Sequence, residues 1–202
     1  MNPDVEQFPD RKAWAKWLDR HHNTSSGIWV RLAKKGADIA SVTYPEALEE
    51  ALCYGWIDAQ KRGESEAAWL QRFTPRGARS IWSKINRQKA LALIDTGQMK
   101  PAGLREVERA QSDGRWEQAY DGARTAEVPP DLEAALAANP EAKQFFETLD
   151  GANRYAILWR LQTAKKPDTR ARRLAKFVEM LNNNEKIHPN VGQALPPANS
   201  AD

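Results

Sequence analysis

The chain of 202 residues contains a single cysteine, Cys53, and only three histidines. An internal disulfide needs two cysteines, and the zinc sites of small domains need clustered Cys and His ligands, so neither kind of cross-link is expected. A lone cysteine is typical of proteins kept in a reducing compartment. We therefore expect a cytoplasmic protein with no metal and no other cofactor.

Long apolar runs and a strong charge of one sign are also missing. No stretch approaches the roughly 20 apolar residues that span a bilayer, and the N-terminal segment MNPDVEQFPDRKAW has no apolar signal-peptide core. Thirty basic and 27 acidic residues leave a net charge of only +3, so no overall field attracts nucleic acid. The composition predicts no membrane insertion and argues against nucleic acid as a partner.

Apolar periodicity divides the chain into an N-terminal α+β layer and a helical C-terminal region. Strands are predicted at residues 27–33, 57–61 and 68–73. Helices are predicted at residues 10–21, 43–55 and 80–97 and after Pro101. These elements predict a small antiparallel sheet covered by helices, followed by an all-helical region.

The composition shifts twice along the chain. Residues 121–130 are rich in Gly, Ala, Thr and Pro, which is typical of a linker. We expect an α+β domain over residues 1–122 and a helical region over residues 128–184. Residues 185–202 carry too little apolar area to offset the entropy of ordering, so a disordered tail is predicted there.

Residues 51–86 combine aromatic, arginine and small polar side chains more densely than a core element requires. Guanidinium groups stack on rings and bind anions in bidentate fashion, and a helix beginning at Ser80 would add free N–H donors. Alternatively, the arginines form ion pairs or donate to loop carbonyls, and the tryptophans fill the core. The candidate ligand-binding residues here are Trp56, Asp58, Arg72, Arg76, Arg79, Trp82, Lys84 and Asn86.

Two further features lie outside that segment. Arg170 and Arg173 share one face of the last predicted helix, so they either help to bind the same anion or a phosphate backbone, or pair with Asp168 and Glu179. Trp29 falls on the opposite strand face from its apolar neighbours, so it packs under a helix or lies in a groove. Cys53 is expected to be a small buried hydrophobe, and no catalytic residue is predicted.

Four blocks of the sequence resemble the bacteriocin-protection family, also called YdeI/OmpD-associated. They are residues 51–58, the segment RFTPRGARSIWSKIN at 72–86, the turn GRW at 114–116 and the segment KKPDTRARR at 165–173. The resemblance extends from about Phe8 to Lys186. It implies a role in bacterial stress or bacteriocin protection, and the family name implies an association with a porin.

The first half is also similar to the small α+β domains of the YdhG group. That similarity implies a frataxin-like iron role with acidic ligands. The candidates in this chain are Glu46, Glu49, Glu50 and Asp58.

The resemblance and the arginine-rich segment together predict a protein that acts by binding. The ligand is a small anionic molecule or a protein partner. One alternative is an enzyme for a phosphorylated or carboxylated small molecule, in which arginines orient the substrate and Asp58 acts as the general base. Another is a nucleic-acid-binding module that uses both basic groups.

Overall fold

The computed structural model describes residues 5–189. The chain divides into two compact units, Met1–Ala119 and Tyr120–Asp202. Residues 190–202, most of the tail predicted to be disordered, lie outside the described residues. None of the helices between residues 5 and 189 combines the length and the apolar character needed to cross a bilayer.

The first unit alternates short strands and helices. Its described elements are β1 (Val5–Gln7), α1 (Arg11–His21), β2 (Ile28–Ala33), α2 (Tyr44–Cys53), β3 (Trp56–Gly63), β4 (Ala68–Pro75), α3 (Lys84–Asp95) and α4 (Pro101–Ser112). The predicted helix starts at Asp10 and Thr43 are confirmed. The Asp10 carboxylate accepts from the Ala13 N–H at 2.7 Å, and the Glu46 carboxylate accepts from the Thr43 N–H at 3.0 Å.

The strands form a mixed sheet in the order β1-β2-β4-β3. β4 pairs antiparallel with β2 and with β3, as predicted, while β1 pairs parallel with β2. The predicted α+β class is confirmed, with β1 as an additional strand that makes the sheet mixed. The sequence did not reveal β1 because three residues are too few to show an alternating pattern.

The two faces of the sheet have different neighbours. Ile28, Val30, Leu32 and Phe73 join one apolar core to which all four helices of the first unit contribute. Trp14 of α1 is fully buried in it and donates its indole N–H to the Ala47 carbonyl at 3.0 Å. The buried residues of the opposite face, which are Trp29, Ala68 and Leu70, lie outside this core cluster.

The helix predicted to begin at Ser80 begins instead at Lys84, behind the N-cap Ser83. The Ser83 hydroxyl accepts from the Asn86 N–H at 3.1 Å. Ser80 closes a turn: its hydroxyl accepts from the Gly77 N–H at 2.9 Å, and its N–H donates to the Gly77 carbonyl at 3.0 Å. Ser83 is the N-cap because the Ser80 hydroxyl is already bonded within the preceding turn.

The regular secondary structure of the second unit between residues 128 and 184 is helical, as predicted. Its helices are α5 (Pro130–Ala137), α6 (Pro140–Glu147), α7 (Gly151–Gln162) and α8 (Pro167–Asn182). They bury a core of their own that includes Leu132, Phe146 and Ile157. Two residues beyond α8 have contacts with this unit: Ile187 packs on its core, and the His188 N–H donates to the Asn153 side chain at 2.8 Å.

Gly103 lies where α4 packs closely against the end of α2. A Cβ at this position would lie 2.6 Å from the Leu52 carbonyl oxygen and would also overlap the Cys53 carbonyl and the Met99 sulfur. We expect Gly103→Ala to lower the free energy of unfolding by about 1–3 kcal/mol, because backbone atoms have to move. Denaturation in urea, followed by circular dichroism, measures the change.

Gly77→Ala is the matched control in the same unit. Its Cβ would meet only the Ser80 hydroxyl, at 3.8 Å. We expect a change within about 0.5 kcal/mol for this variant. Equal stabilities for the two variants would contradict the close packing at Gly103.

Candidate functional site

The predicted site residues do not form one cluster. Trp56 is a core residue whose indole N–H donates to the His22 carbonyl at 3.1 Å. Asp58, on β3, accepts a hydrogen bond at 2.9 Å from the Tyr44 hydroxyl. The interpretation that tryptophans fill the core therefore describes Trp56, and Asp58 is held by a side chain of α2.

Arg76 and Trp82 contact one another in the loop before α3. The guanidinium carbon of Arg76 lies 3.6 Å from the centroid of the Trp82 ring, and one of its nitrogens donates to the Ile81 carbonyl at 3.4 Å. Arg76 is only 5% exposed, and Trp82 is buried against Trp116 at 4.9 Å between ring centroids. These contacts match the alternative in which arginines donate to loop carbonyls.

Two arginines of the 109–115 region hold the same loop. Arg115 donates to the Ser80 carbonyl at 2.7 Å and forms an ion pair with Asp113 at 2.7 Å. Arg109 donates to the Gly77 carbonyl at 3.1 Å. The loop between β4 and α3 is thus held by side chains from the end of α4 and from the GRW turn that follows it, a contact that the sequence did not predict.

The remaining residues predicted near this loop differ in exposure. Arg79 and Lys84 are exposed, and Asn86 is partly buried in the first turn of α3. Arg72 belongs to another place, because it lies on β4 on the side of the sheet opposite the core. The structure therefore separates Arg72 from the pair formed by Arg76 and Trp82.

We name this side of the sheet the arginine face and define it by Trp29, Arg31, Arg62, Leu70 and Arg72. Strand register places its members side by side, since Trp29 faces Arg72, and Arg31 and Arg62 both face Leu70. Residues directly opposite one another across paired strands share a face. Three arginines thus surround the two apolar side chains Trp29 and Leu70.

The indole of Trp29 holds two of these arginines. The guanidinium carbons of Arg62 and Arg72 lie 5.0 and 5.9 Å from its ring centroid. At these distances the ring attracts each cation electrostatically. Trp29 itself is only 7% exposed, whereas Arg62 is exposed, so the arginine face presents guanidinium groups to solvent and keeps the indole beneath them.

The charges of the three arginines are balanced unequally. Arg31 donates two hydrogen bonds to the Glu64 carboxylate, at 2.7 and 2.6 Å, which lower the pKa of that carboxyl. Between residues 5 and 189, neither Arg62 nor Arg72 forms a close ion pair, although the charge of Arg62 also helps to lower the pKa of Glu64. The arrangement leaves two positive groups on the arginine face that can receive an anion.

The arginine face contains one predicted site residue, Arg72. The alternating pattern of β2 had already separated Trp29 from the core-facing residues, and Arg62 lies within the arginine-rich segment 51–86. The missing information was the pairing of the strands. It brings Arg62 to Trp29 across 33 positions of sequence, and no local pattern encodes such a contact.

The acidic residues proposed as iron ligands have other roles. Arg11 forms ion pairs with Glu49 at 3.4 Å and with Glu50 at 2.6 Å, and Lys89 pairs with Glu49 at 2.7 Å. Glu46 caps α2. Within the described part of the chain, no group of three or more His, Cys, Asp or Glu residues has an arrangement that could hold a metal ion.

Arg170 and Arg173 belong to the second unit and bind within it. Arg170 donates to both oxygens of Asp131, at 2.6 and 2.8 Å, and to the Leu161 carbonyl at 2.7 Å. Arg173 donates to the Arg160 carbonyl at 2.5 Å. The carboxylate partner is Asp131 of α5, which sequence proximity did not suggest.

Two family models match separate parts of the chain. Residues 6–106, half of the chain, match the model described as Domain of unknown function (DUF8412). Residues 125–184 match the model described as Bacteriocin-protection, YdeI or OmpD-Associated. The chain belongs to the DUF8412 family and carries a YdeI/OmpD-associated region. Comparison with curated proteins and with solved structures found no match.

The second match confirms the resemblance to the bacteriocin-protection family. It covers residues 125–184, a shorter stretch than the predicted extent from about Phe8 to Lys186. The KKPDTRARR block lies inside the YdeI/OmpD-associated region, which holds most of the second unit. The FTPR and SIWSKIN blocks lie inside the DUF8412 match, as does the whole arginine face. The two parts of the chain therefore carry different family assignments.

Cys53 lies in the core of the first unit, and its reactivity tests that burial. Burial raises the pKa of its thiol to about 11, so the thiolate fraction at pH 8 is about 0.1%. We expect no measurable reaction of the native protein with a thiol reagent such as dithionitrobenzoate at pH 8, and one equivalent in guanidinium chloride. A Cys53→Ala variant that also carries Arg105→Cys on exposed α4 should react at once. Fast labelling of native Cys53 would contradict its burial.

The ion pair between Asp131 and Arg170 predicts a pH dependence of stability. Hydrogen bonds from Arg170 lower the pKa of Asp131, so the pair stabilises the fold above the ordinary aspartate pKa of about 4. That contribution is lost as the pH falls through the lowered pKa. Asp131→Asn should therefore destabilise the protein at pH 6 and much less at pH 2.

Urea denaturation at the two pH values measures this effect. Glu179→Gln, which removes an exposed carboxylate of α8, is the control and should show a much smaller change. A loss of stability in Asp131→Asn that is the same at pH 6 and pH 2 would contradict a role for the charge of Asp131.

Proposed function

We propose that this protein acts in bacteriocin protection by binding an anionic ligand or partner, and that the arginine face binds the anion. The YdeI/OmpD-associated region supports the biological role. The arginine face, in the DUF8412 part of the chain, supports the mode of action. The proposal covers recognition only and assigns no chemical step to the protein.

The pair of guanidinium groups over Trp29 carries this proposal. Arg62 and Arg72 each lie within 6 Å of the ring centroid, and neither forms a close ion pair among residues 5–189. Guanidinium groups bind carboxylates and phosphates through paired N–H donors. Because the indole already restricts both side chains, less conformational entropy is lost when an anion binds.

Other predicted residues fit the proposal less well. The guanidinium of Arg76 is buried over Trp82, and Arg170 is bound to Asp131. Arg79 and Lys84 are exposed and stay candidates for contacts with a larger partner. Asp58 does not add support for the enzyme alternative, because its carboxylate accepts a hydrogen bond from the Tyr44 hydroxyl.

The balance of charge favours a small or acidic ligand over nucleic acid. Glu64 offsets the charge of Arg31, and the chain as a whole carries only +3. Nucleic-acid affinity depends on many neutralised phosphates at once. Two guanidinium groups that form no close ion pair among residues 5–189 suit a single carboxylate or phosphate group, or a short acidic segment.

Thermal unfolding of the purified protein at low salt tests the proposal. Inorganic phosphate, citrate and a hexaglutamate peptide serve as probes, since any ligand that binds the folded state raises the Tm. We expect a concentration-dependent rise with at least one probe. Arg62→Ala and Arg72→Ala should each weaken that binding by about tenfold or more, because a hydrogen bond to a charged group is worth about 1.5–3 kcal/mol.

Arg105→Ala is the matched control, because Arg105 is exposed on α4. This variant should bind the probe with unchanged affinity. A flat response to all three probes would overturn the proposal, and so would an equal loss of affinity in the control.

A further inference from the structure

β3 forms one edge of the sheet. It pairs with β4 and with no other strand, and residues 59–63 are all exposed. Apart from the hydrogen bonds that pair β3 with β4, the main chain of residues 59–63 has one hydrogen bond to the described residues. The Gln60 carbonyl accepts it from the Gln71 side chain at 3.0 Å. The outer N–H and C=O groups of β3 are therefore open to another strand.

Two cations stand beside this open edge, one on each face of the sheet. Lys61 places its ammonium nitrogen 4.4 Å from the centroid of Trp69, and Arg62 lies over Trp29. Consecutive residues of a strand point to opposite faces. Each cation thus lies over an indole, and the edge has one cation on each face of the sheet.

The same charges discourage pairing between two copies of the chain. If β3 paired antiparallel with β3 of a second copy, Lys61 and Arg62 of both copies would come close together. Like charges across paired strands are destabilising. The register shift between Asp58 and Lys61 also interrupts the edge, a feature that commonly protects exposed strands from self-association.

An acidic strand does not meet this like-charge repulsion. Two adjacent carboxylates on an added strand would point to opposite faces, where Lys61 and Arg62 lie. In strand addition, main-chain hydrogen bonds supply affinity and side chains supply selectivity. We propose that β3 binds an extended acidic segment of a partner protein, which adds a fifth strand to the sheet.

This inference rests on the proposed function, because Arg62 serves both, and it specifies the class of partner. The probe is an extended Thr/Val-rich peptide of about ten residues with two adjacent central glutamates, and its matched version has two glutamines. The readout is hydrogen–deuterium exchange of the intact protein. We expect the glutamate peptide to slow exchange at residues 59–63 by tenfold or more and the glutamine peptide to have little effect.

Charge reversal provides the second arm. The double variant Lys61→Glu, Arg62→Glu should lose protection by the glutamate peptide and gain protection by a version with two lysines. The control is Lys12→Glu, Lys16→Glu, which reverses two exposed lysines of α1 and should behave like the parent protein. Circular dichroism verifies that each variant is folded.

The outcomes separate this inference from the proposed function. If phosphate, citrate or hexaglutamate binds in an Arg62-dependent way but no peptide protects residues 59–63, the strand addition is wrong and anion binding stands. If no probe binds, both are wrong. Concentration-dependent dimerisation of the protein alone, with protection at residues 59–63, would make a second copy the occupant and overturn the acidic partner.

Discussion

The pairing of β2 with β4 is the constraint on which both faces of the sheet depend. With Trp29 opposite Arg72, the residues Ile28, Val30 and Leu32 all face the helices. A slip of one residue would send these apolar side chains to solvent and bring charged ones into the core. Burial of the core face therefore fixes the register, and the register in turn places Arg62 and Arg72 beside Trp29.

The arginines of the first unit serve two distinct purposes. One group donates hydrogen bonds to carbonyls of the loop before α3 and stabilises that loop; it consists of Arg76, Arg109 and Arg115. Arg62 and Arg72 rest on an indole and keep their charge available. What separates the groups is the neighbour each one meets, a polar backbone in the first case and an aromatic ring in the second.

This difference also marks how far the sequence alone leads. Alternation along β2 and the caps Asp10 and Thr43 are local signals, and they predicted the α+β class and the first helices. The start of α3 was misplaced because two serines compete as caps. The contacts of each arginine could not be predicted from the sequence. Arg115 contacts Ser80, and Arg62 contacts Trp29, only because segments distant in sequence pack together. Locating the arginine face therefore required the strand order, which the periodicity of the sequence does not give.

The strand order also has a consequence for the folding pathway. β3 and β4 are joined directly by residues 64–67, so their contacts are local and close with little loss of chain entropy. β2 reaches β4 only after a much longer segment that includes α2 has closed, and such non-local contacts form slowly. We therefore expect the hairpin of β3 and β4 to form first and the pairing of β2 with β4, which separates core from surface, to form later.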